Sequence, residues 1–252
     1  MASTVVLISG ANRGLGKGLL ELYLAKPNHI VIAANRNPDH PTSKALAQLP
    51  KGEDSRLIVI KVDASVESDA SEGIKQLIAQ GIDHIDIAIA NAGVLYCVPK
   101  VSEVKTEELQ GHLTPNVFGV VWLFQAALPL LKNSTNPKWI TLGSVGGKIV
   151  PRDQPDVPHA AYGPSKVAAH WITKRIDKEE DWLTAFVLSP GLADTDMARV
   201  ALKGLSSVKD KIPVQLVPVE ESCKGMVKVI DVATKATHGG RFMTYTGDED
   251  TW

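Results

Sequence analysis

The chain of 252 residues predicts an α/β fold, a doubly wound parallel sheet of about seven strands flanked by helices. The first observation is a set of short β-branched runs at 5–9, 30–34, 57–62, 85–90, 139–142, 183–188 and 241–245. They are nearly continuous apolar runs, as expected of strands buried on both faces of a parallel sheet. The second is the stretch of helical period between successive runs, at 14–26, 42–49, 67–80, 103–132, 160–179 and 218–235, which gives a βαβ rhythm with right-handed crossovers. The third is a glycine-rich turn between the first run and the first helical stretch.

Composition narrows the function classes. A 44% hydrophobic content supports a sizeable core, and the sequence shows no repeat, low-complexity tract or linker, so residues 1–252 are expected to form a single domain. With 27 basic and 28 acidic side chains the net charge is −1, which provides no electrostatic footprint for nucleic acid or an anionic membrane. No basic leader precedes the first apolar run, and no uninterrupted apolar run reaches the roughly 20 residues of a membrane span. Cys97 and Cys223 stand far apart without a C-x-x-C pair, and the seven histidines show no metal-ligand spacing. A cytoplasmic protein without a metal is the expectation.

The turn reads Ser9-Gly10-Ala11-Asn12-Arg13-Gly14-Leu15-Gly16. Strand, glycines and helix in that order form a phosphate cradle: glycine allows positive φ and close backbone approach, and the helix amino end offers unpaired N–H groups with partial positive charge. The spacing is G-x-x-x-G-x-G. The lysine after Gly16 is not part of a Walker A loop, because Ala11 stands where its first glycine would be and no Ser or Thr follows. After the second strand comes Ala33-Ala34-Asn35-Arg36, with no carboxylate to bind a ribose 2′-hydroxyl. Arg36, together with Arg13 in the turn, supplies guanidinium groups suited to a 2′-phosphate, so the expected cofactor is NADP(H).

Tyr162 and Lys166, four apart at the start of a helix, project from one face. A buried ammonium beside a phenol favours the phenolate, which would bring the tyrosine towards the working range of a general acid. Ser144 closes the fifth strand, where its hydroxyl can reach a substrate carbonyl; Leu142 occupies the first glycine of G-x-S-x-G, which excludes a nucleophile elbow. Two segments rich in turn residues, 146–158 and 192–213, follow strands at the sheet's carboxyl edge and are expected to wall a substrate site. His159 and His170 flank the catalytic pair and are read as structural, as is Cys97, expected to be buried. Trp122, Trp139 and Trp171 are read as core or interface residues.

With these motifs in view the sequence resembles the short-chain dehydrogenase/reductase family over almost its whole length. The glycine turn, Asp63, Ala90-Asn91-Ala92-Gly93, Asn116, Ser144, Tyr162-Gly163-Pro164-Ser165-Lys166 and the run from Ser189-Pro190-Gly191 to Thr195-Asp196-Met197 match in order. Within the family it is similar to fungal ketoreductases of the norsolorinic acid type and to sniffer-like carbonyl reductases. The resemblance implies a Rossmann fold and an NADPH-dependent reduction of a small-molecule ketone or aldehyde, with a bulky fungal secondary metabolite as substrate. It implies that Tyr162 donates the proton, that Ser144 orients the carbonyl, that Lys166 binds the nicotinamide ribose, and that Asn116 holds a water on the proton path. Gly10, Asn12, Arg13, Gly14, Leu15, Gly16, Arg36, Asp63, Asn91, Ala92, Gly93, Lys166, Pro190, Gly191 and Thr195 would line the cofactor. It also implies a homodimer or homotetramer built on the long helices. Alcohol oxidation by the same residues, and a non-redox protein that only binds NADP(H), remain open alternatives. Ser9, Ala90 and Gly143 depart mildly from the family pattern, and Pro115 is expected to kink the helix at Asn116.

Overall fold

The computed structural model describes residues 3–150, 157–204 and 216–252. Seven strands run parallel in the order β3-β2-β1-β4-β5-β6-β7: β1 (Thr4–Ser9), β2 (His29–Asn35), β3 (Arg56–Lys61), β4 (Ile87–Ala90), β5 (Lys138–Leu142), β6 (Thr184–Ser189) and β7 (Phe242–Thr244). All seven predicted strands are present. The fourth is shorter than its apolar run because Ile85 N–H leaves the ladder and donates to Leu130 O at 3.0 Å.

Strand alternation sorts the apolar side chains into two cores. Val5, Leu7, Ile32 and Trp139 face one side, beneath α3 (Glu67–Ala79), α5 (Gly119–Lys132) and α6 (Tyr162–Glu179). Val6, Ile8, Ile140 and Phe186 face the other, beneath α1 (Gly14–Leu24) and α8 (Val219–Val232). Both faces are covered, so the strands can be apolar throughout. Short helical pieces lie at α2 (Pro41–Lys44) with the 3₁₀ turn Ala45–Gln48, and at α9 (Lys235–His238). The order of strands reverses direction between β1 and β4, and the crevice beyond their carboxyl ends is where such sheets bind ligands.

The predicted helix over 103–132 is in fact three segments. α4 (Thr106–Leu113) leads into a π-helical turn, Thr114–Phe118, and then α5. Pro115 has no N–H for the i−4 bond, and the helix widens so that Gly119 N–H reaches Thr114 O. The whole stretch Thr106–Lys132 is long and apolar enough to cross a membrane by length and composition. Here it is packed in the sheet's core through Val120, Leu123, Ala127, Leu130 and Leu131. Within the expected substrate segments, 151–156 and 205–213 lie outside the described residues. The described part of the second contains a helix the sequence did not announce, α7 (Asp196–Gly204), with Thr195 Oγ1 accepting from Ala198 N–H at 3.2 Å.

Candidate active site

The glycine turn is locked from beneath by buried polar side chains. Gly10 and Gly14 have φ of +65° and +54°, the left-handed region that a side chain would strain. A Cβ on Gly16 would lie 2.3 Å from Gly10 O and 2.5 Å from Asn91 Nδ2, so any other residue would push the turn apart. Asn35, fully buried, accepts from Ala11 N–H through Oδ1 at 2.8 Å and donates to Ser43 Oγ at 3.2 Å. Asn12 donates to Thr42 Oγ1 at 2.7 Å. Across the crevice, Asn91 Nδ2 donates to Ser9 O at 2.7 Å and Gly10 O at 3.1 Å, while Ser9 Oγ accepts from Asn91 N–H and Ala92 N–H at 3.1 and 2.9 Å. Sequence reasoning gave Asn35 and Ser9 no part in bracing the turn; their signal was a small polar side chain closing an otherwise apolar strand.

This cradle fits a dinucleotide. Helix α1 starts beside Leu15 with no side-chain cap and no acid in its first turn, which leaves its N–H groups and partial charge directed at the turn. Arg13 and Arg36 are both exposed at the crevice's β2 side and make no ion pair among the described residues. Asp63 is half-buried after β3, its N–H held by Asp69 Oδ2 at 2.8 Å and its Oδ1 accepting from Ser65 N–H at 2.9 Å. Gly93 adjoins Asn116, whose Oδ1 a Cβ there would meet at 3.1 Å. Thr195 faces Gly14 from the segment after β6, and Gly191, at φ +69°, lets that segment turn against Tyr245. Ser222 Oγ donates to Pro190 O at 2.7 Å and fixes it. The structure therefore brings Gly10, Gly14, Gly16, Asn91, Ala92 and Thr195 of the predicted cofactor residues together.

The second half of the site lies beyond β5. Ser144 Oγ accepts from Gly146 N–H at 3.1 Å, which leaves the hydroxyl proton available to another acceptor. Tyr162 packs over the same loop: a Cβ on Gly146 would touch Ser144 Oγ at 3.3 Å and Tyr162 Cε1 at 3.4 Å. Lys166 Nζ donates to Leu142 O at 2.9 Å and stands 5.7 Å from the Tyr162 ring centre. Burial pushes the Lys166 ammonium down to about 8. The tyrosine does not follow the expected downward shift. Burial pushes its phenol up to about 12, with only Ser144's hydroxyl pulling the other way. At neutral pH Tyr162 keeps its proton.

Asn116 sits in the π turn, 1% exposed, and its amide is nearly saturated. Oδ1 accepts from Val94 N–H at 2.7 Å, and Nδ2 donates to Val94 O at 3.0 Å and Ser165 Oγ at 2.9 Å. Ser165 Oγ in turn donates to Tyr162 O at 2.6 Å. Asn116 thus braces the start of α6 against the loop after β4, with both of its Nδ2 hydrogens spent on these contacts.

His170 is 2% exposed, and its Nε2 accepts from Ser144 N–H at 3.2 Å. Burial and the Lys166 charge push it down to about 3, so it stays neutral and serves to hold the serine strand end. Cys97 proves half-buried rather than buried. Trp139 is fully buried with Nε1 donating to Thr141 Oγ1 at 3.1 Å, whereas Trp171 on α6 is 63% exposed and Trp122 is half-buried beside Phe118.

Comparison with known proteins follows the same lines. The family profile for short chain dehydrogenases matches residues 4–205. The chain belongs to this family of oxidoreductases. Among curated relatives it is similar to the short-chain dehydrogenase srdF of Neurospora crassa, 37% identical over 259 residues that cover 99% of this chain and 98% of the relative. It is also similar to norsolorinic acid ketoreductase of Aspergillus parasiticus, 34% identical over 253 residues, covering 99% and 91%. Among solved structures the fold matches NADPH-bound carbonyl reductase from chicken fatty liver, with a TM-score of 0.83 at 22% identity and full coverage of both chains. Carbonyl reductase Sniffer of Drosophila melanogaster matches with a TM-score of 0.82 at 23% identity, again over both chains in full.

Proposed function

We propose that the protein is an NADPH-dependent carbonyl reductase acting on a ketone or aldehyde. The observation that carries this reading is the convergence of Ser144, Tyr162 and Lys166 at the carboxyl end of β5, beside a glycine cradle that only small backbone can fill. NADPH bound in the cradle would supply the hydride. The chain's own residues do the rest. Ser144, its oxygen already accepting from Gly146 N–H, donates a hydrogen bond to the substrate carbonyl and orients it, keeping its own proton. Tyr162, protonated at neutral pH, gives its proton to the oxygen as negative charge develops there. Lys166, fixed by Leu142 O, retains two N–H groups to hold the cofactor's ribose, and its charge steadies the phenolate that proton transfer leaves behind. Asn116 keeps the tyrosine's helix in place through Ser165.

The cofactor is NADPH rather than NADH because Arg13 and Arg36 flank the ribose end without competing ion-pair partners among the described residues and no carboxylate closes β2. A bulky substrate from fungal secondary metabolism is supported by the norsolorinic acid ketoreductases among the relatives. Cytoplasmic placement is supported by two free cysteines and a near-neutral charge. Assembly into a dimer or tetramer is supported by aromatic exposure on the long helices, at Phe118 and Trp171. The test is to titrate the protein with NADPH and NADH by nicotinamide fluorescence, then follow NADPH oxidation against a panel of aryl ketones. Tighter NADPH binding with turnover supports the reading; NADPH binding without turnover of any carbonyl points to a non-redox binding protein.

A further inference from the structure

His170 accepts from Ser144 N–H, and the segment beyond β7 in turn packs on His170. There the chain turns back on itself: Thr244 N–H donates to Asp248 O at 2.8 Å and Asp250 N–H to Phe242 O at 2.7 Å. Residues 248–252 thereby return along β7, the edge strand of the sheet, with an antiparallel bridge between Met243 and Glu249.

This return brings Trp252 to the serine end of β5. Its indole packs on Phe242 with ring centres 5.7 Å apart, meets the His170 ring at 6.1 Å with the planes at 66°, and has Lys174 Nζ over it at 4.5 Å. Phe242 and His170 are themselves 4.8 Å apart. The loop after β5 rests on these rings too closely for side chains. A Cβ on Gly143 would lie 2.9 Å from His170 Nε2 and 3.1 Å from Phe242 Cε2, and one on Gly147 would lie 2.7 Å from His170 Cε1. Gly143, a departure from the family pattern, thus answers to the imidazole beside it. The same segment grips the loop a second time, further on. Asp250 forms an ion pair with Lys148, whose side chain is only 9% exposed, and Trp252 O accepts from Val150 N–H at 3.4 Å.

We propose that Trp252 and Asp250 are positioning residues for ketone reduction: the segment 248–252 fixes the loop 144–150 so that the Ser144 hydroxyl meets the substrate carbonyl in the geometry a hydrogen bond requires. Trp252 acts at the start of the loop, through Phe242 and His170, and Asp250 acts at its far end, through Lys148. A misplacement of about 1 Å can cost about 10²-fold in rate even when its origin lies far from the reacting atoms. The proposal rests on the reductase reading above for the part that Ser144 plays.

Trp252→Ala removes the indole, Trp252→Phe keeps an aromatic face, and Asp250→Asn removes the ion pair with little change of shape. For each, kcat for ketone reduction is measured alone and combined with Ser144→Ala, NADPH affinity is read by nicotinamide fluorescence, and hydrogen exchange of the 144–150 amides is followed by mass spectrometry in the NADP⁺-loaded protein. Trp252→Ala and Asp250→Asn should each lower kcat by about tenfold with NADPH affinity unchanged, and Trp252→Phe should recover most of the loss. The 144–150 amides should exchange faster in both damaging variants, while those of the glycine turn keep the wild-type rate. On the Ser144→Ala background the same substitutions should cost less than about twofold, because positioning that acts through a hydroxyl has nothing left to act on. Equal losses with and without the serine hydroxyl, or wild-type exchange at 144–150, overturn the proposal. If Trp252→Ala does not fold, Asp250→Asn carries the same cycle. A wild type that reduces no ketone breaks the reductase reading, and the exchange measurement still decides whether the segment holds the loop.

Discussion

The two halves of the crevice are built on opposite principles. On the β1–β4 side, polar side chains beneath the glycine turn are satisfied within the chain: Asn35 on Ala11 and Ser43, Asn91 on Ser9 and Gly10, Ser9 on Asn91 and Ala92. On the β5–α6 side, the three buried side-chain atoms without a partner among the described residues are all imidazole nitrogens, on His112, His159 and His170. There too burial moves the titrating groups, raising Tyr162 and lowering Lys166. The glycine turn is closed by its own hydrogen bonds, whereas the region round Tyr162 keeps unspent hydrogen-bonding capacity. The difference teaches that satisfaction of buried polar groups marks the rigid half, and its lack marks the reactive one.

The contrast breaks first at Tyr162. Tyr162→Phe removes the proton donor and should lower kcat for ketone reduction by about 10²–10⁴-fold, as loss of a general acid does, while NADPH affinity stays at the wild-type value. Stopped-flow turnover and fluorescence titration separate the two readouts, and wild-type turnover in the variant would remove the tyrosine from the reaction. On the rigid half, Arg13→Ala with Arg36→Ala should raise the Kd for NADPH by about 10–100-fold, at roughly 1.5–3 kcal/mol for hydrogen bonds to a charged group, with NADH binding unchanged. An equal loss for both cofactors would mean the arginines do not read a phosphate.

Smaller effects sharpen the comparison. His170→Leu leaves Ser144 N–H without its acceptor, at about 1–3 kcal/mol for a buried unsatisfied donor. A lower melting temperature is expected, along with a fall in kcat of about tenfold. Because His170 is held neutral with a value of about 3, the wild-type rate should show no inflection from it between pH 5 and 7. The smallest effect is the alkaline limb. Lys166 loses its charge as pH rises through about 8, well before Tyr162 at about 12. Reductase kcat should therefore hold from pH 6 to 7 and decline by a few fold above about pH 8, a limb that Lys166→Arg should shift upward since the guanidinium stays charged. A flat profile to pH 10 would show that the lysine charge plays no part.

Much of this was legible in the sequence, for reasons that differ from element to element. The strands were readable because burial on both faces leaves runs such as Val5-Val6-Leu7-Ile8 with no polar interruption. The glycine turn was readable because Gly10, Gly14 and Gly16 each answer a local steric demand. Pro115 signalled a disturbed helix, but its resolution as a π turn depended on Thr114 O finding Gly119 N–H, which lies beyond local preference. The downward pull expected on Tyr162 failed because proximity of Lys166 was weighed without burial; in the fold, desolvation is the larger influence on both groups. α7 was hidden within a segment that its glycines and prolines marked as loop.

Arg13 and Arg36 lie on the surface, while the residues that shape the turn beneath them, Asn35 and Gly16, are buried. On the proposed reading, nucleotide preference and fold integrity are thereby carried by separate sets of positions. Surface substitutions away from packed features typically alter stability by no more than about 0.5 kcal/mol. If the two arginines read the phosphate as proposed, exchanging two solvent-facing side chains would move the protein between cofactor pools and leave the sheet indifferent to the outcome.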